Sequence, residues 1–128
     1  MRGQVAVEFM IILIFALIII SVAVVVAFQK SIEVDDEKTN LEAERALYSA
    51  ANAINTAHAE GDGFTSAFVL PAMVGEHNYT IRASSTVIWM EADGRFYAET
   101  LLTDNVTGSF VAGDNTVRNA GGGIYLNG

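Results

Sequence analysis

The chain has no cysteine, so disulfides, thiolate metal sites and thiol catalysis are all excluded. It is also poor in positive charge. Seven Lys and Arg stand against fifteen Asp and Glu, a formal net charge of −8. Phosphate binding needs clustered basic side chains, so nucleic acid is an unfavourable partner. There is one proline in 128 residues, and neither Gly nor Pro occurs from Gln4 to Glu60. Nothing in that stretch is a conventional helix breaker.

What is present is a long apolar run. Phe9–Phe28 is 20 residues with one polar member, Ser21. As a helix it would be about 30 Å long, enough to cross a bilayer core. A secretory signal peptide has a shorter apolar region followed by a small-residue cleavage site. Here the charged stretch FQKSIEVDDEK follows instead. Helical spacing resumes at Leu41, with Leu47, Tyr48, Ala51 and Ile54 on one face and Glu42, Glu44, Arg45 and Asn52 off it. Gly61, in EGDG, is the first helix stop. The pattern predicts one helix over residues 4–60, apolar over 4–28 and amphipathic over 29–60. Two helices separated by a loop at SIEVDDEKTN would satisfy the same pattern.

Residues 64–128 read as a β-rich head of six or seven short antiparallel strands. In NYTIRAS, Tyr79, Ile81 and Ala83 alternate with Thr80, Arg82 and Ser84. STVIWM and RFYAETLL follow, joined by EADG, where Asp93-Gly94 is a hairpin signal. Then come VTGSFVA, a turn at GDN, NTVRN, a flexible AGGG and IYL. The fold class expected is α+β: a long N-terminal helix followed by a small antiparallel, β-sandwich-like head. About 65 residues of β structure would be marginal alone, so the amphipathic helix is expected to complete its core.

Signals for catalysis are weak. His58 and His77 lie in different segments without ligand spacing, and His58 suits a helix C-terminus. EVDDE lacks the spaced Asp/Asn, central Gly and final Glu of a calcium loop, and reads as a solvated helix face. The Gly121–Gly123 run lacks the Lys-Ser/Thr of a phosphate loop. No serine sits in a nucleophile-elbow pattern. Trp89 and the tyrosines fall on strand-like stretches, where face or core packing is expected. The chain reads as a non-enzyme without a cofactor or metal. Two N-glycosylation sequons are present, Asn78-Tyr-Thr80 and Asn105-Val-Thr107.

One charge remains unexplained. Glu8 lies in the apolar run, and a carboxylate at a membrane centre costs about 2.5–3.5 kcal/mol. RG–QVAVEF followed by an apolar helix resembles the class III signal peptide of type IV pilins, most closely the archaeal version. Arg2 matches the basic leader, Gly3 the last leader residue, and Gln4 the first residue of the processed chain. Glu8 is then fifth, followed by Phe9. LPAMVGEHNYTIRA and GDNTVRNAGGGIYL also look like segments of small archaeal proteins with this leader. Unlike bacterial pilins, the chain has no Gly or Pro inside the apolar helix.

The resemblance implies residues 1–3 as a leader, removed between Gly3 and Gln4 by a prepilin peptidase. It implies a precursor in the cytoplasmic membrane with its N-terminus inside, and assembly by dedicated machinery into an extracellular adhesive filament, a homopolymer in which this chain is the major subunit. In the family, the fifth-position carboxylate pairs with the N-terminal amine of a neighbouring subunit, which implies that role for Glu8 and Gln4. No nucleotide-binding motif is present, so the motor would be another protein. Three other readings fit the same residues: a minor pilin or pseudopilin, a membrane-anchored binding module that does not polymerise, and an archaellum subunit.

Overall fold

The computed structural model describes residues 2–128. The breaker-free stretch is helical throughout: α1 runs Arg2–Glu60, with no interruption at SIEVDDEKTN. Seven strands follow: β1 (Thr65–Leu70), β2 (Tyr79–Ser84), β3 (Val87–Ala92), β4 (Arg95–Thr100), β5 (Val106–Gly108), β6 (Gly113–Ala120) and β7 (Gly123–Leu126). The α+β class is as expected. By compactness the chain divides into two units, residues 1–37 and residues 38–128. The first is the apolar part of α1 with the start of its charged stretch. The second is the head, to which α1 contributes residues 38–60.

In the head, α1 buries Thr39, Ala43, Ala46, Leu47, Ala50, Ala51, Ile54 and Ala57. These recur at intervals of three and four, one stripe of a 3.6-residue helix. The stripe is offset from the one read in the sequence. Leu47, Ala51 and Ile54 are buried as expected, but Leu41 and Tyr48 are 46% and 63% exposed. Five alanines line the buried stripe beside Leu47 and Ile54, while Leu41 and Tyr48 stand outside it. Helix α1 then stops where expected. Gly61 has φ +90°, and its N–H donates to the Ala57 carbonyl at 3.3 Å. That is the left-handed C-terminal cap for which glycine is favoured.

The strands form two sheets. β2-β3-β4 is an antiparallel meander, and the other sheet has the order β1-β6-β7-β5. In the meander, Asp93 and Gly94 both have positive φ, as the hairpin signal requires. β2 alternates half-buried Tyr79, Ile81 and Ala83 with exposed Thr80, Arg82 and Ser84. Ile88 and Met90 of β3 are fully buried, while Trp89 lies on the opposite face against Arg82 and Phe96. The buried faces of β1, β3, β6 and β7 join the alanine stripe in one core.

Four features differ from the sequence reading. β1 was not among the strands read; its apolar run Phe68-Val69-Leu70 ends at Pro71, and only Phe68 and Leu70 face inward. GDN is not a turn but the start of β6, paired with Phe68–Leu70. AGGG is a tight hairpin with Gly121 and Gly122 at positive φ, joining β6 to β7. Finally, β5 is only three residues long and pairs with β7 in parallel, so the head is not wholly antiparallel. β5 takes the free edge of β7, and β6 holds the other edge antiparallel.

Asparagine side chains explain the second difference and why strand β5 ends early. The fully buried Asn115 donates to the carbonyls of Val111 and Gly113 and accepts the Val111 N–H. Asn127 donates to the Ser109 carbonyl and accepts the Thr116 N–H. Residues 109–113 thus satisfy backbone groups with amides rather than a ladder. Phe110 then packs edge-on against Phe68, with centroids 6.3 Å apart. Among the described residues no buried side-chain polar atom lacks a partner.

Four polar anchors tie residues 38–60 of α1 to the strands and loops. Glu42 accepts the Gly75 N–H at 2.7 Å. Asn40 accepts from Arg95 and Tyr97 of β4. Asn55 accepts the Leu102 N–H at 2.8 Å, just past the end of β4. Asn119 of β6 is buried and donates to the Ala57 carbonyl at 2.8 Å, satisfying part of the helix end.

The offset of the helix face gives a direct test. Ile54→Ala should destabilise the head by about 2–5 kcal/mol. Tyr48→Ala should cost less than about 0.5 kcal/mol, as for an exposed site. Denaturant unfolding of the detergent-solubilised chain, followed by the fluorescence of the single Trp89, measures both. A loss at Tyr48 equal to that at Ile54 would contradict this packing.

Candidate functional site: the uncovered apolar helix segment and the Asn78 edge

In the first unit, every large apolar side chain from Val5 to Phe28 is at least 43% exposed. Burying such a side chain is worth about 1.5–3 kcal/mol, so leaving the whole segment in water would cost tens of kcal/mol. The segment is long and apolar enough to cross a membrane. Membrane anchoring is compatible with this composition. Ser21, its one hydroxyl, donates to the Leu17 carbonyl at 2.8 Å and so leaves no unsatisfied donor in the apolar surface.

Gln4 and Glu8 stand four residues apart in α1, hence on one face, with Phe9 beside them. Both polar residues are exposed, and Glu8 makes no ion pair among the described residues. Arg2 and Gly3 form the first turn of the same helix, which therefore begins inside the residues read as a leader. Beyond Phe28 the surface becomes charged, with an exposed Lys30–Glu33 pair at 3.8 Å.

In the head, the two sequons are separate. Asn78 and Thr80 flank the start of β2, an edge strand, and both are exposed. Asn105 and Thr107 are also exposed, at the start of β5. His77 lies 3.7 Å from Asp93, and His58 is in the last turn of α1, so the structure does not bring the histidines together. Among the described residues no group of three or more His, Asp or Glu side chains could hold a metal ion. A concavity of about 530 Å³ is an open groove between Leu41, Leu47 and Tyr48 of α1 and Phe96 and Tyr97 of β4. The sequence reading missed it because Leu41 and Tyr48 had been assigned to the core.

No family model, curated protein or solved structure matches the chain.

Tyr79, inside the first sequon, has a shifted acidity. Partial burial raises its phenol above the ordinary value near 10, and its hydroxyl donates to the Pro71 carbonyl. The folded state therefore holds this proton more tightly than the unfolded chain. Its contribution to stability is complete below pH 10 and is lost as the pH rises through the raised value. Ultraviolet titration of the native protein against Tyr79→Phe should reveal a difference component ionising above pH 10. A component at or below 10 would contradict the burial.

Proposed function

We propose that this chain is the major structural subunit of an archaeal type IV pilus, polymerising through the apolar segment of α1 into an extracellular filament. The observation that carries this reading is the uncovered segment Val5–Phe28 combined with a single carboxylate, Glu8, four residues after Gln4. Lipid would cover the segment before assembly, and the same segment of other copies would cover it afterwards. Transfer from lipid to a helix bundle avoids exposure to water, and packing then decides the balance. Ala6, Ala16, Ala23 and Ala27 are small enough for close helix approach, and the many Ile and Val residues are stiff knobs.

Cleavage after Gly3 would expose the α-amino group of Gln4. Glu8 of one copy and that amine of the next would then form an ion pair in an apolar surrounding. Either charge alone is expensive to bury, and the pair offsets much of the cost. Prepilin peptidase and an external assembly motor are the partners this requires. The exported head, residues 38–128, would clothe the fibre. It has no disulfide, and its order comes from the core and the amide anchors.

Two outcomes are expected. Mass spectrometry of the purified protein should show a chain beginning at Gln4; a mature chain that keeps Met1 would refute the processing site. Glu8→Ala should leave membrane insertion intact but abolish filament formation, since an unpaired buried amine costs about 3–5 kcal/mol per subunit. Negative-stain microscopy of sheared surface material, with membrane fractions blotted in parallel, reads both effects. Normal filament yield from Glu8→Ala would remove the pairing role. Wild-type chain in the membrane with no filament containing it would favour an anchored module that does not polymerise.

A further inference from the structure

The two sequons are alike in sequence and differ in what their backbones are doing. Asn105 is committed. Its N–H donates to Thr103 Oγ1, and its carbonyl accepts the Ile124 N–H at 2.8 Å. The residues after it are laddered to β7. Its amide nitrogen, the atom a sugar would join, lies over Gly123, 3.3 Å from where a Cβ on that glycine would stand. Gly123 itself is buried.

Asn78 is free. Among the described residues neither sequon's side-chain amide makes a hydrogen bond, but the Asn78 backbone lies just outside β2, where that of Asn105 is bonded to Thr103 and Ile124. It follows a tight hairpin, Val74–His77, closed by two backbone hydrogen bonds of 2.9 Å with Gly75 and Glu76 at positive φ. That hairpin is itself fixed, by the Glu42 carboxylate on the Gly75 N–H and by Thr39, whose Oγ1 would be 2.0 Å from a Cβ at Gly75. So the approach to Asn78 is rigid and the residue is available. Strand alternation puts Asn78 and Thr80 on the same, solvent-facing side of the edge strand. Beside them is a shallow depression of about 340 Å³, lined in part by Tyr79, Ile81, Phe110 and Val111. Its lining is mixed, with Asn78 and Thr80 beside the apolar side chains, and leaves open space next to the acceptor amide.

We infer that Asn78, and not Asn105, is the N-glycosylation site of this chain. The donor is a lipid-linked glycosyl phosphate. The Asn78 amide nitrogen bonds to the anomeric carbon, the bond from that carbon to the phosphate oxygen breaks, and the lipid phosphate leaves with the bonding electrons. The amide gives up one proton, and a separate transferase supplies the catalysis. The hydroxyl of Thr80, two residues on, completes the acceptor motif. The inference rests on the proposed export of the head, because the sequon is an acceptor in exported chains.

The test uses full-length protein from the cells that make it. Protease treatment of intact cells reports whether the head is outside, and peptide mass mapping locates any glycan. The head should be cleaved from intact cells, and the mass increment should lie on the peptide containing Asn78. Asn78→Gln and Thr80→Ala should each remove it entirely, Thr80→Ser should retain it, and Asn105→Gln should leave it unchanged. Asn78 and Thr80 are exposed, so these variants are expected to fold, with Trp89 fluorescence as the check. An exposed head without a glycan overturns the inference and leaves the export reading intact. Sugar on Asn105, alone or together with Asn78, overturns the assignment. A head protected from protease on intact cells overturns export, and the inference with it.

Discussion

Water is the constraint on which the rest of this molecule depends. From Val5 to Phe28 the helix carries apolar side chains on all sides, each left substantially exposed by the chain itself. No local rearrangement could hide them, because a helix that is apolar all round has no polar face to turn outward. The segment is long and apolar enough for membrane anchoring, and the proposed assembly would cover it with further copies. The single carboxylate, Glu8, shares a helical face with Gln4 near the start of α1, where the proposed pairing needs it.

The second half of the same helix answers a different demand. Residues 38–60 contribute to a head too small to make a large core from strands alone. The alanine stripe accommodates close strands, and Leu47 and Ile54 supply most of its volume. Asn40, Glu42 and Asn55 reach outward from the helix to loop and strand groups, and Asn119 reaches back to the helix end. With no cysteine available, these amide and carboxylate contacts hold irregular segments that a disulfide might otherwise staple. Asn115 and Asn127 do the same for residues 109–113, where β5 stops short.

That economy also separates the two sequons. Asn105 has its backbone N–H and carbonyl bonded in the fold and its side-chain nitrogen close over Gly123. Asn78 stands one residue beyond a fixed hairpin, with its own groups unengaged. A motif of three residues carries none of this distinction.

The sequence by itself determined the helix from the absence of breakers, its end from Gly61, the hairpin from Asp93-Gly94, and the α+β order. These are local signals: backbone freedom, apolar period and turn chemistry act within a few residues. It also carried the Gln4–Glu8 spacing, because four residues is one helical turn. Tertiary structure alone decided which face of residues 38–60 is buried, since Leu41 and Tyr48 share the helical spacing of Leu47 and Ile54 and only the position of the strands separates them. It also decided that GDN begins a strand. Asn115 resembles a turn residue until Val111, Gly113 and Asn127, brought together by the sheet, occupy its amide. The parallel pairing of β5 with β7 has the same origin: a three-residue strand takes its direction from the edge left open to it, and that edge exists only after β6 and β7 have paired.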